Sequence, residues 1–136
     1  MKRIEYFKLL EQVFNFKTIS DEKGNEYVLL ASNPLDSIQR IKDKTAFEAV
    51  ENHVHLLDHL KKQEFEALIP IAETLCKTLA HRLSKQYPNK KFLVYSSLTL
   101  KDSFILRFHQ KWENEEPYYN PADFNAEAEK IFVCEI

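Results

Sequence analysis

The spacing of apolar side chains changes along this chain, and that change constrains the fold more than any other feature. Near the N-terminus, and again between residues 46 and 86, apolar residues recur every three or four positions, which is typical of helices with one buried face. Beyond Lys90 they recur at every second position, as in half-buried strands. The pattern predicts an α+β domain of two layers, an antiparallel sheet of about four or five strands with three to four helices packed on one face.

Two strands are predicted in the C-terminal third, at residues 92–100 and 103–112. A connection of odd length, 100–102, gives them one apolar face, whereas an even connection would mix apolar and polar side chains on both faces. A last strand is predicted at 131–135, and a hairpin at 16–20 and 26–32 around Gly24, the only glycine. The apolar face that the odd connection creates contains Phe92, Val94, Leu98, Phe104, Leu106 and Phe108.

Four helices are predicted from the same spacing and from capping residues. The first covers residues 3–14, and the second runs from Asn33-Pro34 to about residue 41. A capping box at 45–48 starts a third helix that is predicted to reach about residue 61. The fourth, 64–86, contains Pro70, which must either bend it or mark its first turn.

Composition narrows the functional classes. A length of 136 residues suits a single domain, 1–136, and no apolar run approaches the roughly 18 residues that cross a bilayer. Charged residues interrupt the N-terminus where a signal peptide is apolar, and two widely spaced cysteines suit a reducing, cytoplasmic compartment. A net charge of −2 gives no reason to expect nucleic acid, and a single glycine excludes glycine-rich phosphate loops, so no cofactor is predicted.

Two histidines flank Val54. His53-Val54-His55 is similar, over about six residues, to the HUH motif of small single-strand transposases and relaxases. The resemblance implies that both imidazoles bind a divalent metal for nucleic-acid processing, which requires a strand to place them on one side. The predicted helix would instead turn them apart, and Glu51, His55 and His59 would share a solvated polar stripe. No metal site is therefore predicted.

A second candidate lies on the polar face of the predicted strand pair. Tyr95 and Arg107 are expected to lie opposite each other, with His109 two residues further along. An arginine, an imidazole and a phenol could bind a small anion or perform acid–base chemistry. The competing interpretation is that a half-exposed strand needs polar residues on its outer face.

The third candidate is the acidic, aromatic segment that follows the second strand. Aromatic side chains supply contact area and carboxylates supply complementarity, so such a segment could dock onto a basic partner protein. Alternatively, the aromatic rings fold back onto the sheet or the helices. We predict a non-enzymatic protein-interaction or regulatory module, similar in kind to an adaptor or immunity protein, ahead of the anion or acid–base site and of the metal-dependent alternative. The predicted partner-binding residues are Trp112, Glu115, Glu116, Tyr118, Tyr119 and Phe124.

Overall fold

The computed structural model describes residues 11–124 and 128–136 and confirms the α+β class. The predicted helix 3–14 lies mostly outside the described residues, and 11–13 are helical. The elements are β1 (Phe16–Ser20), β2 (Glu26–Leu30), α1 (Lys44–Glu51), β3 (His53–Asp58), α2 (Lys62–Gln86), β4 (Phe92–Thr99), β5 (Ser103–Gln110), a 3-10 turn (Pro121–Asp123) and β6 (Glu129–Glu135).

Four of the strands form one antiparallel sheet in the order β3-β5-β4-β6. Leu98 pairs with Phe104, so the connection between β4 and β5 has the predicted odd length, and Lys101 in it adopts a φ of 67°. The predicted apolar face is confirmed. It packs against α2, whose buried stripe includes Ala72 and Leu79. The helix starts eight residues before Pro70, so the proline lies inside it.

The predicted hairpin is also confirmed, but β1 and β2 form a separate two-stranded sheet. Gly24 adopts a φ of 84° in its turn, which other residue types reach only with strain. The Asp21 side chain holds the same turn by accepting hydrogen bonds from the Lys23 and Asn25 amides and from the Tyr27 hydroxyl.

Two polar side chains, Glu48 in α1 and Asn52 directly after it, join the small sheet to the large one; we call them the Glu48–Asn52 bridge. On the β2 side, Glu48 accepts from the Val28 amide, while Asn52 accepts from the Leu30 amide and donates to the Val28 carbonyl. On the β5 side, Glu48 accepts from the Gln110 amide. The bridge satisfies backbone groups at the edges of two strands that do not pair with each other.

The predicted helix over 46–61 is wrong in its second half. Helix α1 ends at Glu51, and residues 53–58 form β3 against β5, with a bulge between His55 and Leu57. Residues 53–56 read polar, apolar, polar, apolar, which also suits a strand, and pairing with β5 decides between the two periods. The N-cap of α1 is Asp43 and not Thr45.

The predicted helix over 34–41 does not form. The Asn33 side chain accepts a hydrogen bond from the Leu35 amide, a local turn that competes with a helical start. The Lys17 ammonium donates to the carbonyl oxygens of Asn33 and Leu35. In the described part of the chain, no helix is long and apolar enough to cross a membrane.

Candidate functional site

Three side chains that the sequence singled out lie together on the face of the large sheet that points away from α2. Tyr95 pairs directly with Arg107 in the β4–β5 register, and His109 follows two residues later. The three side chains are adjacent, as predicted, but they do not lie on a half-exposed face. Tyr95 and His109 are 1% exposed and Arg107 is 8% exposed, because a later part of the chain covers them.

The hydrogen bonds of His109 fix it as a neutral imidazole. Its Nδ1 lies 2.7 Å from the Gln110 carbonyl oxygen, which only accepts, so Nδ1 carries the proton. Its Nε2 then accepts from the Tyr95 hydroxyl at 3.0 Å and from the Tyr118 amide at 3.3 Å. Burial lowers the pKa of His109 and outweighs the bond to the Gln110 carbonyl, which raises it. Both nitrogens are therefore engaged, and the ring has no lone pair available for proton transfer.

Arg107 is a buried cation without an ionic partner among the described residues. Its Nη1 donates to the Ala49 carbonyl oxygen at 2.5 Å, while its Nε lacks a hydrogen-bond partner in the same part of the chain. The guanidinium carbon lies 4.9 Å from the ring centre of Tyr118 and 5.3 Å from that of Tyr119. Aromatic rings thus stabilise the charge where a carboxylate would be expected.

Residues 112–124 supply these rings, and we call them the cover segment. Tyr119 packs on Tyr95 with ring centres 5.1 Å apart, and Phe124 packs on Tyr119 at 5.3 Å. Trp112 packs on Tyr27 and donates from Nε1 to Glu48 at 2.7 Å. The alternative in which the aromatic rings fold back is what the structure shows for these three side chains.

Glu115 fastens the cover segment to the start of α1. Its carboxylate accepts from the Thr45 amide at 2.7 Å and from the Thr45 hydroxyl at 2.6 Å, and it lies 3.8 Å from the Lys44 ammonium. Partial burial raises the pKa of Glu115, but the hydrogen bonds from Thr45 and Lys44 and the charge of Lys44 together lower it by more. A residue predicted to meet a partner therefore caps a helix of its own chain.

Two of the predicted partner-binding residues remain exposed, Glu116 and Tyr118. Both line an open cleft of about 780 Å³ between the cover segment and the start of α1. We call it the acidic cleft, because its walls carry three carboxylates and one lysine. Its lining consists of Lys42, Asp43, Thr45, Ala46, Asn114, Glu115, Glu116, Pro117 and Tyr118.

His53 and His55 lie elsewhere, on strand β3, with ring centres 5.4 Å apart. The predicted helix would have turned them to opposite sides, so that expectation is wrong. The predicted stripe of Glu51, His55 and His59 is broken by the end of α1. Within the described residues, no group of three or more His, Cys, Asp or Glu side chains could hold a metal ion.

Sequence reasoning missed Glu48 and Asn52 as the groups that hold the two sheets together. Glu48 fitted a capping box and Asn52 lay within a predicted helix, so neither residue carried a signal of burial. The carboxylate lies between two strands 20 and 62 residues away in the chain. Such contacts are set by tertiary packing and not by local spacing.

The chain matches the family model described as the Uncharacterized protein PM0498 family over residues 5–136. Since the match spans nearly the whole chain, the chain belongs to this family. No curated protein and no solved structure matches it significantly.

Proposed function

We propose, from the geometry of the chain, that it is a non-enzymatic protein-interaction module of the adaptor or immunity-protein kind. Its acidic cleft would bind a basic segment of a partner protein in the cytoplasm. The observation that carries the proposal is a cleft of about 780 Å³ whose acidic wall is held in place by contacts within the chain.

The first support is the order of the cover segment. Glu115 ties it to Thr45, Trp112 donates to the buried Glu48, and Tyr119 packs on Tyr95. Pro117 and Pro121 further restrict its backbone. A wall that is ordered before binding loses little conformational entropy when a partner arrives, which favours affinity.

The second support is the chemistry of the wall. Asp43 and Glu115 already accept hydrogen bonds from the start of α1, whereas Glu116 makes no hydrogen bond or ion pair to any described residue. Tyr118, 37% exposed, presents part of an aromatic ring beside it. A carboxylate next to an exposed ring suits the guanidinium of an arginine, which can pair with one and pack on the other.

One observation favours a second function, a small-anion site at Tyr95, Arg107 and His109. Arg107 is a buried positive charge without a carboxylate partner in the described residues, and a bound anion would pair with it. Tyr118 and Tyr119 would have to move aside first, because their rings cover the guanidinium. This function predicts that phosphate or a small carboxylate raises the melting temperature, whereas the acidic cleft predicts that neither does.

The test of the acidic cleft compares two glutamates of the cover segment. A displayed library of random ten-residue peptides is selected on the intact protein, and we expect arginine and lysine to be enriched. Binding of a selected peptide is then measured by fluorescence anisotropy for Glu116→Lys and for Glu113→Lys. Glu116 lines the cleft and Glu113 does not, although both are exposed.

We expect Glu116→Lys to weaken binding at least about tenfold, which corresponds to roughly 1.4 kcal/mol, and Glu113→Lys to change it less than about twofold. Added salt should weaken the wild-type complex, since the contact is ionic. Equal losses in the two variants, or selected peptides without basic residues, would overturn the proposal.

A further inference from the structure

His53 and His55 point to the same side of the sheet. They are two residues apart on β3, and alternate residues of a strand share a face. Val54, between them, packs against the core on the other face and fixes this orientation. His53 is partly buried and His55 is exposed, so solvent reaches the pair.

The hydrogen bonds of the pair leave one nitrogen of each ring available. Nδ1 of His53 lies 2.6 Å from the Val50 carbonyl oxygen, and Nδ1 of His55 lies 2.9 Å from a carboxylate oxygen of Asp58. Both oxygens accept in these bonds, so each Nδ1 carries a proton, and in the neutral form of each ring the lone pair lies on Nε2. No described residue hydrogen-bonds either Nε2.

This arrangement is the one that metal-bound histidines adopt in proteins. The nitrogen that does not bind the metal usually donates to a carbonyl or a carboxylate, which fixes the tautomer and the direction of the ring. Here Val50 supplies the carbonyl and Asp58 the carboxylate.

The spacing of the rings also fits a shared ion. Two imidazoles that bind one tetrahedral ion, with each nitrogen about 2.1 Å from it, have ring centres about 5 Å apart. The ring centres of His53 and His55 are 5.4 Å apart, with an angle of 68° between the ring planes. Both residues line an open cavity of about 290 Å³ at the edge of the sheet, which leaves room for water.

We propose that His53 and His55 form a two-histidine binding site for a divalent transition-metal ion, with water in the remaining positions. The ion is of the class that imidazole binds well, namely Zn²⁺, Ni²⁺ or Cu²⁺, and not Mg²⁺ or Ca²⁺, which take oxygen ligands. Among the described residues no third His, Cys, Asp or Glu completes the set, so the ion exchanges and keeps open positions for another ligand.

In the test, the untagged chain of 136 residues is freed of metal by chelator and dialysis and is then titrated with ZnCl₂ and with NiCl₂ in a calorimeter. We expect one ion per chain. His53→Gln and His55→Gln should each weaken binding at least tenfold. His81→Gln and His59→Gln are the controls, since both side chains are exposed and neither belongs to the site, and they should leave binding within twofold.

Asp58→Asn provides a variant that keeps both ligands and alters only the group that orients His55. Loss of the carboxylate should weaken Zn²⁺ and Ni²⁺ binding severalfold. MgCl₂ should give no binding heat with the wild type or with any of the variants. Asp58 is exposed, so this variant should fold, and it tests the proposal even if His53→Gln does not fold. Absence of Zn²⁺ and Ni²⁺ binding up to 1 mM, or equal binding in wild type and His55→Gln, would overturn the proposal.

Discussion

Glu48 is a carboxylic acid buried between two sheets, and its surroundings have two opposite effects on its pKa. Burial raises its pKa by disfavouring the charge, while donors from Gln110, Val28 and Trp112 lower it. Burial is the larger effect, and the pKa of Glu48 rises to about 7 from an ordinary value of 4.5. The folded chain therefore binds a proton in a pH range where the unfolded chain has released it.

The sign of the resulting pH dependence follows from this difference. Between pH 4.5 and about 7 the folded state holds the proton of Glu48 more tightly, so the contribution to stability is complete below pH 4.5 and is lost as the pH rises through 7. The loss amounts to about 3 kcal/mol. Urea unfolding at pH 5, 6, 7 and 8 should show this decline in the wild type.

His109 contributes to the same profile with the opposite sign, since burial lowers its pKa and favours the neutral ring. The contribution of Glu48 must therefore be isolated by comparison with Glu48→Gln, which cannot titrate. The difference in unfolding free energy between the two proteins should change monotonically from pH 5 to pH 8. Parallel pH profiles would show that Glu48 has the same pKa in the folded and unfolded chains.

At the scale of elements, the cover segment contacts the start of α1. The Glu115 carboxylate accepts hydrogen bonds from the Thr45 amide and hydroxyl, so a residue 70 positions away supplies a helix cap. Asp43 caps the Ala46 amide of the same turn. The start of α1 and the wall of the acidic cleft are thus one hydrogen-bonded unit.

Removal of the Glu115 carboxylate should destabilise both the start of α1 and the wall of the acidic cleft. Glu115→Ala should cost about 1 kcal/mol of unfolding free energy, as the loss of an N-cap usually does, and should lower the melting temperature. Glu113→Ala, on the same segment but without these contacts, is the control and should change stability little. A melting temperature equally lowered in both variants would contradict the role of Glu115 as a cap.

The elements show where local spacing is sufficient and where it is not. The β4–β5 register followed from the parity of its connection, because a slip of one residue would exchange the apolar and polar faces. The spacing of Val54 and Leu57 predicts a helix over residues 53–58, whereas the alternation of Val54 and Leu56 with the two histidines also suits a strand. Pairing with β5 settled the choice, and it depends on residues about 50 positions away.

The candidate sites were likewise predictable only where local spacing determines them. The adjacency of Tyr95 and Arg107 could be predicted, since it is a consequence of register. Their burial could not, because the cover segment has no apolar period and its placement depends on single contacts such as that of Glu115 with Thr45. The placement of His53 and His55 on one face likewise could not be predicted, because it depends on the strand that spacing alone did not identify.

At the scale of the whole molecule, Asn52 is one of the buried side chains that attach the hairpin to the rest of the chain. It is 1% exposed and makes bonds of 3.0 Å and 2.8 Å to Leu30 and Val28. Asn52→Ala leaves a buried amide and a buried carbonyl without partners, at a cost of about 3 kcal/mol. Chemical denaturation measures this loss, and Asn89→Ala, in an exposed turn, should change stability by less than about 0.5 kcal/mol.

The Glu48–Asn52 bridge also has a consequence for how the molecule comes apart. A two-stranded hairpin is marginal on its own, and a helix of eight residues is too short to persist in water. Each acquires its order from the bridge, which exists only while β2, α1 and β5 are all in place. We therefore expect no partly folded form that retains the hairpin once the large sheet has unfolded.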